Sequence, residues 1–372
     1  MKRKSTICVI TSSRADYSHL YPLMIRLKES KKLILKTVVT GMHLLKEYGE
    51  TYKLIKRDKF KIDARIDSRQ KDTKKSSVLS GVSIQIGQYD KLIKLRPDAV
   101  VILGDRYDIY SFALICHIYR IPIIHLHGGE TTTGAIDNEI RDSISLFSTI
   151  HFVAHKLFSE KLTKLGINKK NIFNYETLAL EHIKSIRKMS KQNILAKMNL
   201  REFSEYILVC VHPETASNDT KPPITFILDA LEEFKDYAII FTGVNSDTEA
   251  SFIRQSILRF CKKHNRCKYV ESAGRDLYIN LLRNASVIVG NSSSGIIEAP
   301  YLKTPTVNVG KRQNGRPMAS SILSVDVDKE NIKKSIKKVI SKQSVIKYNN
   351  VFYKYGKTSE KIVKKIEEQF YK

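Results

Sequence analysis

The sequence predicts an α/β protein built from two Rossmann-like domains, each with a parallel β-sheet. Short apolar runs rich in β-branched residues recur along the chain, and most are separated by segments with helical spacing, which is the pattern of βαβ units. The 372 residues are enough for two domains that each bury a core. The series of strands also stops near the middle and restarts at Tyr206. We therefore expect two similar domains that face a ligand-binding cleft.

Nine strands are predicted, five before this pause and four after it. They cover residues 6–11, 33–40, 99–103, 121–126 and 150–153 in the first half, and 206–211, 238–242, 286–289 and 305–309 in the second. The lysine-rich stretch from Leu178 to about Leu200 is predicted to be helical, so we divide the chain at its start into domains 1–177 and 178–372. Residues 351–372 have the spacing of an amphipathic terminal helix, which can pack back on the first domain.

Composition and charge exclude several classes of protein. The 64 Lys and Arg residues outnumber the 38 Asp and Glu residues, which gives a formal net charge of +26. Because these cations are spread along the chain, we expect a solvated basic surface and no nucleic-acid partner. The five cysteines form no C-x-x-C pair, which predicts a reduced chain. No apolar run approaches the ~20 residues that cross a bilayer, and no signal-peptide pattern is present, so we expect no membrane association and a cytoplasmic location.

Open α/β sheets bind ligands beyond the carboxyl ends of their strands, so the residues that follow each strand are candidates for function. The first strand is followed by small residues and Arg14, which could hold an anion together with free backbone amides. The alternative there is a simple helix cap formed by Asp16. Asp105 follows the strand 99–103 and is a candidate acid or base. Its structural alternative is an N-cap paired with Arg106.

The next strand leads into a cluster of titratable residues around a glycine pair. His125 and His127 share one face if the strand continues, and Glu130 follows two glycines that let a ligand come close. These three and Asp105 are a possible metal set, but no i,i+4 histidine pair or cysteine completes a zinc site, so we expect no metal. Asp137 then begins a helix, where an acidic first turn has the alternative role of complementing the helix dipole.

The second half repeats this arrangement. His212 ends one strand and could contact a diphosphate or act as a general acid, although a lone histidine is more often structural. Asn245 follows the next strand. The sequence 290–300 has the order of strand, small-residue loop and helix start, which is the shape of a phosphate cradle. Glu298, one helical turn later, could accept hydrogen bonds from ribose hydroxyls.

In this order the motifs resemble the UDP-N-acetylglucosamine 2-epimerase family, and more closely its hydrolysing bacterial branch that feeds sialic-acid synthesis. The resemblance runs nearly end to end. The segments that carry it are SRADY (13–17), TGMHL (40–44), GDR (104–106), HGGE (127–130), HP (212–213), GNSSSGIIEAP (290–300) and RQNGR (312–316), together with Arg141.

The resemblance implies a GT-B-like fold, in which two Rossmann-like domains face an inter-domain cleft and a helix ends the chain. The second domain would hold the uridine diphosphate, with no NAD or other cofactor, and relatives suggest a homodimer or homotetramer. The implied reaction eliminates UDP across C1 and C2 of UDP-N-acetylglucosamine and adds water to the 2-acetamidoglucal, which yields N-acetylmannosamine. The implied catalytic residues are Asp105, Glu130, Asp137 and His212; the implied UDP-sugar contacts are Arg14, His43, Asn245, Ser293, Ser294, Gly295, Glu298, Arg312 and Arg316.

Some positions depart from the family pattern. Hydrolysing relatives usually have two adjacent acidic residues and an Arg-His pair, whereas this chain has Asp137-Asn138 and Arg141-Asp142. The glycine-rich hinge between the domains is replaced by residues 175–181. A UDP-linked 2,4-diacetamido-trideoxyhexose is therefore an alternative substrate, and a GDP-linked sugar is a further one. The other functions that fit the residues are a non-hydrolysing epimerase, a GT-B glycosyltransferase and a non-catalytic nucleotide-sugar-binding protein.

Overall fold

The computed structural model describes residues 3–46, 49–70, 72, 74–131, 137–214, 222–244, 250–342 and 345–371. The chain forms two compact units. Unit 1 comprises Met1–Glu130, Ile136–His182 and Phe352–Lys372, and unit 2 comprises Thr131–Ala135 and Ile183–Val351. Each unit is built on one parallel sheet, which confirms the predicted α/β class.

Unit 1 contains seven parallel strands and eight α-helices within its described residues. The strands are β1 (Ser5–Thr11), β2 (Leu33–Thr40), β3 (Ala64–Ile66), β4 (Ala99–Leu103), β5 (Ile123–Leu126), β6 (Ile150–Val153) and β7 (Ile172–Asn174). The helices are α1 (Arg14–Glu29), α2 (Tyr52–Arg57), α3 (Lys75–Gly87), α4 (Tyr89–Ile93), α5 (Tyr107–Ile118), α6 (Asp137–Phe147), α7 (Lys156–Lys164) and α14 (Thr358–Phe370).

Both faces of the sheet in unit 1 are covered, which is why its central strands β1, β4, β5 and β6 are almost completely buried. On β1, Ile7 and Val9 pack in one core with side chains of α1 and α14. Cys8 and Ile10 point to the opposite face and pack with α5. The C-terminal helix α14 therefore belongs to the core of unit 1.

Unit 2 repeats this plan with six parallel strands, β8 (Tyr206–Cys210), β9 (Ala238–Thr242), β10 (Cys267–Val270), β11 (Val287–Gly290), β12 (Thr306–Val309) and β13 (Ile322–Val325). Its helices within the described ranges are α8 (Lys191–Lys197), α9 (Pro223–Leu231), α10 (Ala250–Lys263), α11 (Gly274–Asn284), α12 (Glu298–Leu302) and α13 (Lys329–Ser341). Ile207 and Val209 of β8 pack against α9, α10 and α13, and Leu208 packs on the other face with α8 and α11.

The strand order positions the candidate residues. It is β3-β2-β1-β4-β5-β6-β7 in unit 1 and β10-β9-β8-β11-β12-β13 in unit 2. In each sheet the order of strands therefore reverses between the first strand of the unit and the fourth, which are neighbours. Ligands bind outside the carboxyl ends of strands at such a reversal. The segments after β1, β4 and β5 in unit 1, and after β8 and β11 in unit 2, lie at these ends.

All nine predicted strands are present, with ends that differ by at most two residues. Four strands were missed: β3, β7, β10 and β13. The long helix predicted over 178–200 is wrong, because a 3-10 helix at Leu178–Ser185 and the short α8 occupy that stretch. The chain divides after His182 instead of after residue 177, because Leu178 packs in the core of unit 1.

Two further properties of the chain are the state of its cysteines and the hydropathy of its helices. The five cysteines are all unbonded thiols, and only Cys261 is not fully buried. Burial raises the pKa of the Cys8 thiol to about 12. Within the described ranges, no helix combines the length and apolar composition that a membrane span requires.

Gly290 is required where β11 ends beside β8. Its φ is +138°, and a Cβ there would lie 2.0 Å from the carbonyl oxygen of Cys210. We expect Gly290→Ala to lower the free energy of unfolding of unit 2 by about 3–5 kcal/mol, because steric overlap adds to backbone strain. Gly274→Ala is the matched control, since φ there is +67° and no atom lies within 4 Å of the added Cβ. It should cost only about 1–2 kcal/mol in urea denaturation; equal losses in the two variants would contradict the steric argument.

Candidate active site

The turn between β1 and α1 is closed by Asp16. Its carboxylate accepts hydrogen bonds from the backbone amides of Ser12 and Ser13, both at 2.7 Å, and the Ser13 side chain caps the helix in return. The amides of Ser12 and Ser13 are therefore not free to hold an anion, and the predicted helix cap is present. Arg14, the first residue of α1, is half-buried and stays a candidate contact for the diphosphate.

His43 is placed as a structural residue rather than as a substrate contact. Its side chain is fully buried. Nε2 lies 2.9 Å from the hydroxyl of Thr11, and Nδ1 lies 2.7 Å from the hydroxyl of Thr51. Burial lowers the pKa of His43 to about 4, so the ring is neutral. The expected direct contact with the substrate is therefore not supported, because both ring nitrogens are already occupied.

Asp105 is joined to the next strand by one buried guanidinium. The chain leaves β4 at Gly104, whose φ is +83°. Arg141 of α6 donates a hydrogen bond from Nη2 to Asp105 Oδ2, and its Nη1 donates to the backbone carbonyl oxygen of Glu130 at 2.6 Å. The side chain of Arg141 is 3% exposed and that of Asp105 is 18% exposed. Arg141 thus fixes a carboxylate that still reaches the surface of unit 1.

The alternative role of Asp105, a cap paired with Arg106, is wrong. Arg106 Nε lies 3.3 Å from Asp108 Oδ1, within the first turn of α5. Asp108 is buried, whereas Asp105 faces Arg141. Asp105 therefore stays a candidate acid or base.

Glu130 is paired with His127. The Nδ1 atom of His127 lies 2.5 Å from Glu130 Oε1, and both residues are buried. His127 has a φ of +63°, so the strand ends at Leu126. The prediction that His125 and His127 share one strand face is therefore wrong. His127 and Glu130 form a second acid–base group beside the carboxyl end of β5.

His125 is a structural histidine. Its Nε2 lies 2.8 Å from the carbonyl oxygen of Gly104, and its Nδ1 lies 3.0 Å from the hydroxyl of Ser145. Burial lowers its pKa to about 3. In the part of the chain that the structure describes, no three His, Cys, Asp or Glu side chains gather closely enough to hold a metal ion.

The positions that depart from the family pattern lie on α6. Asp137 is its first residue and is half-buried, four residues before Arg141 and thus on the same side of the helix. Asn138 Oδ1 accepts a hydrogen bond from Arg141 at 3.4 Å. Asp142 forms an ion pair with Lys161 of α7 at 3.1 Å. The residue that replaces the usual histidine is therefore neutralised by a lysine of the neighbouring helix.

In unit 2, Asn291 organises the ends of β8 and β11. Its Oδ1 accepts from the backbone amide of His212 at 2.8 Å, and its Nδ2 donates to the carbonyl oxygen of the same residue at 2.9 Å. Its own carbonyl oxygen accepts from Arg312 at 3.3 Å and from Gln313 at 2.8 Å. Asn291 therefore holds the backbone of His212 through its side-chain amide and the guanidinium of Arg312 through its carbonyl oxygen.

The serine loop after β11 is a compact polar turn. Ser293–Gly295 forms a 3-10 helix, and the side chain of Ser292 accepts a hydrogen bond from the amide of Ser294. The hydroxyl of Ser294 is hydrogen-bonded to the phenol of Tyr278 on α11. Burial raises the pKa of that phenol above its usual value, so Tyr278 remains protonated. A half-buried Ser293 and a fixed Ser294 fit the predicted phosphate cradle.

The remaining predicted residues of unit 2 have simple positions. Glu298 is the first residue of α12 and is 7% exposed. Arg312 and Arg316 are half-buried in the turns after β12. Asn245 lies outside the described residues, so its predicted contact with the substrate stays a prediction.

Sequence reasoning missed the residues that hold the others in place. Arg141 and Asn291 belong to the sequence motifs without a predicted role of their own, and Tyr278 belongs to none of the motifs. Arg141 could have been found as a cation one helical turn after Asp137, but its two partners lie in the segments that follow β4 and β5. No local signal marks Tyr278, because it lies in the middle of an ordinary amphipathic helix.

Comparison with known proteins identifies the family of the chain. Residues 25–367 match the family described as UDP-N-acetylglucosamine 2-epimerase. The chain belongs to the UDP-N-acetylglucosamine 2-epimerase family. A solved member, UDP-GlcNAc 2-epimerase of Methanocaldococcus jannaschii in complex with UDP-GlcNAc and UDP, superposes with a TM-score of 0.82 over 98% of this chain and 99% of that one, at 20% identity. At this identity the superposition shows the shared GT-B-like fold alone.

Three relatives illustrate the variety within this 2-epimerase family. The chain is 36% identical to a hydrolysing GDP/UDP-N,N'-diacetylbacillosamine 2-epimerase of Campylobacter jejuni, over 87% of this chain and 85% of that protein. It is 34% identical to polysialic acid biosynthesis protein P7 of Escherichia coli, over 89% and 85%. It is 32% identical to a hydrolysing UDP-N,N'-diacetylbacillosamine 2-epimerase of Legionella pneumophila, over 95% and 93%.

From the prediction that the serine loop holds the phosphates of UDP, we expect Tyr278→Phe to weaken UDP binding. The substitution removes the hydroxyl that holds Ser294 and leaves the packing of the ring unchanged. The loss should be about 0.5–1.5 kcal/mol, the usual contribution of one hydrogen bond, measured by calorimetric titration with UDP. Tyr237→Phe, another partly buried tyrosine of unit 2 that packs edge-on to Phe234, is the control. An unchanged affinity in the Tyr278 variant would separate Ser294 from the phosphates.

Proposed function

We propose that this 2-epimerase hydrolyses a UDP-linked 2,4-diacetamido-trideoxyhexose of the N,N'-diacetylbacillosamine type. The products would be UDP and the free 2-epimer of the sugar. The observation that carries the proposal is the pair of acid–base groups at the ends of β4 and β5, namely Asp105 held by Arg141 and Glu130 held by His127. A protein that only binds nucleotide sugars has no need for two oriented carboxyl groups.

The choice of sugar revises the expectation from sequence, which favoured UDP-N-acetylglucosamine. Two of the three relatives above are named for N,N'-diacetylbacillosamine and for hydrolysis. The positions near Asp137 also depart from the usual pattern, which supports an altered sugar pocket. UDP-N-acetylglucosamine remains the second candidate, because it is the sugar for which the family is named.

Unit 1 is assigned the chemistry at the sugar. Asp105, held as a carboxylate by Arg141, takes the C2 proton while the bond between C1 and the diphosphate oxygen breaks, and the electron pair forms the C1–C2 double bond. Glu130 then gives a proton to C2 from the opposite face, while water bonds to C1 and returns a proton to Glu130. Asp105 releases its proton to solvent. One water is consumed, and UDP, the free epimer and one proton are formed.

Unit 2 is assigned the nucleotide. Ser293, Ser294 and Gly295 would line the phosphates, with the serine hydroxyls as the contacts because the amides of Ser294 and Gly295 are bonded to Ser292. Arg312 and Arg316 would neutralise the charge of the phosphates. His212 would support the departing diphosphate as a cation or acid. Glu298 would accept hydrogen bonds from the ribose hydroxyls. Asp137 is proposed as a further acid or base on the sugar, because it shares one side of α6 with Arg141.

Proton NMR of the purified protein with each sugar nucleotide tests the proposal. The substrates are the UDP-linked diacetamido sugar, UDP-N-acetylglucosamine and the GDP-linked diacetamido sugar, without added metal or NAD. We expect free 2-epimer and UDP, with the highest kcat/KM for the UDP-linked diacetamido sugar. A higher kcat/KM for UDP-N-acetylglucosamine would support the second candidate.

Other outcomes would assign a different function. A mixture of intact UDP-sugars would indicate a non-hydrolysing epimerase. Binding of UDP with no turnover of any sugar nucleotide would favour a glycosyltransferase or a non-catalytic binding protein. Light scattering of the same sample would show whether the protein is the dimer or tetramer expected from sequence.

A further inference from the structure

We propose that His127 is a positioning residue that orients the carboxyl group of Glu130 for proton transfer. The inference rests on the proposed function, in which Glu130 gives a proton to C2 and recovers one from water. Its basis is the 2.5 Å contact between His127 Nδ1 and Glu130 Oε1 inside unit 1, where 9% of His127 and 4% of Glu130 are exposed. None of the steps described above uses the imidazole directly.

The backbone conformation at His127 points to a functional role of its side chain. With a φ of +63°, the residue occupies the left-handed region, which glycine adopts more readily than histidine. Its amide donates to the carbonyl oxygen of Phe152 at 3.1 Å, so the conformation is built into the sheet. A bulky side chain held in an unfavourable conformation beside an acidic group is a reason to look for a function of that side chain.

The loop from His127 to Glu130 is held by contacts that do not involve the imidazole. Arg141 and Lys161 donate to the carbonyl oxygen of Glu130, at 2.6 Å and 3.4 Å. Gly129 lies so close to α7 that a Cβ there would be 2.4 Å from the carbonyl oxygen of Phe158. Because the backbone is fixed from α6 and α7, removal of the imidazole should change the carboxyl group of Glu130 and leave the loop in place.

The tautomer assigned to His127 follows from this role. When Nδ1 carries the proton and donates to Oε1, that oxygen is engaged and the plane of the carboxyl group is fixed. The exchangeable proton of Glu130 is then directed to Oε2, which we assign to the sugar and the water. A rotating carboxyl group would present this proton in the reactive direction for only part of the time.

Two substitutions at position 127 separate positioning from structure. Asparagine tolerates the left-handed conformation, and its Nδ2 occupies nearly the place of the histidine Nδ1 as a donor. Glycine suits the backbone better than either residue but has no donor. In the protein that turns over its sugar nucleotide, we expect His127→Asn to keep kcat within about tenfold of wild type and His127→Gly to lower it about 100-fold. KM should stay within about twofold in both variants.

The reverse order would overturn the proposal. If the imidazole had no role at Glu130, His127→Gly would keep the kcat of wild type, and His127→Asn would be no more active than His127→Gly. A second measurement adds His127→Gly to a Glu130→Gln variant, whose residual turnover is followed at high enzyme concentration. No further decrease is expected, whereas another 100-fold decrease would show that His127 acts independently of Glu130. An inactive wild-type protein would instead overturn the proposed function, while an active wild-type protein with a fully active glycine variant would overturn only this inference.

Discussion

Asp105→Asn should reduce kcat by about 10²–10⁴-fold and leave the affinity for UDP within about twofold of wild type. Asparagine has nearly the size of aspartate, and its Oδ1 can accept the hydrogen bond from Arg141, but its amide cannot take the C2 proton. Rates of UDP release and calorimetric titration with UDP measure the two quantities. Asp90→Asn is the matched control, because that carboxylate is 48% exposed and forms an ion pair with Lys94 at the end of α4.

Arg141→Lys tests the same arrangement from the other side. The two Nη atoms of Arg141 reach Asp105 and the carbonyl oxygen of Glu130 at once, whereas a single ammonium group cannot span both. We expect kcat to fall on the order of 10²-fold, because both groups lose their fixed positions.

Retention of kcat in Asp105→Asn, or a loss of UDP affinity as large as the loss of rate, would remove Asp105 from the chemistry.

The central strands could be predicted from sequence because burial on both faces makes them continuously apolar. The four missed strands are short and lie at the edges of the sheets, where less burial is required. β3 has an exposed Arg65 between its ends, and β13 is only partly buried throughout. All four lie at the ends of the strand orders, so each pairs with a single neighbouring strand of its sheet.

The candidate residues at the strand ends could be predicted because the topology of a parallel sheet brings those ends to one edge. Which atoms meet there could not. Whether Asp105 pairs with Arg106 or with Arg141 depends on how α6 packs, and whether His43 is accessible depends on Thr51, which lies beyond the turn after β2. Asp16 shows the opposite case, since the capping of α1 is local and the sequence alone contained that alternative.

Acidification is expected to unfold unit 1 before unit 2. His43, His125 and His151 are all in unit 1 and fully buried, and burial lowers their pKa values to about 4, 3 and 4 from 6.5. Below pH 6.5 these histidines bind protons in the unfolded chain but stay neutral in the folded unit. The contribution of the three histidines to stability is therefore complete above that pH and decreases as the pH falls towards 4. Each histidine contributes a slope of about 1.4 kcal/mol per pH unit, and the three together contribute about 4.

Between pH 6.5 and pH 5 the three histidines remove about 6 kcal/mol, which is comparable with the lower part of the ~5–15 kcal/mol range of domain stability, so unit 1 should lose protection as the pH falls towards 5. Hydrogen exchange with mass spectrometry between pH 7 and pH 5 can follow peptides of each unit separately. His151→Phe removes one of the three proton-linked groups and should reduce the pH slope of unit 1 by about one third. His264→Gln in unit 2, where the ring lies beside the exposed carboxylate of Glu232, should leave that slope unchanged. If peptides of unit 2 lost protection first, or if His151→Phe had the slope of wild type, buried neutral histidines would not be the cause of acid unfolding.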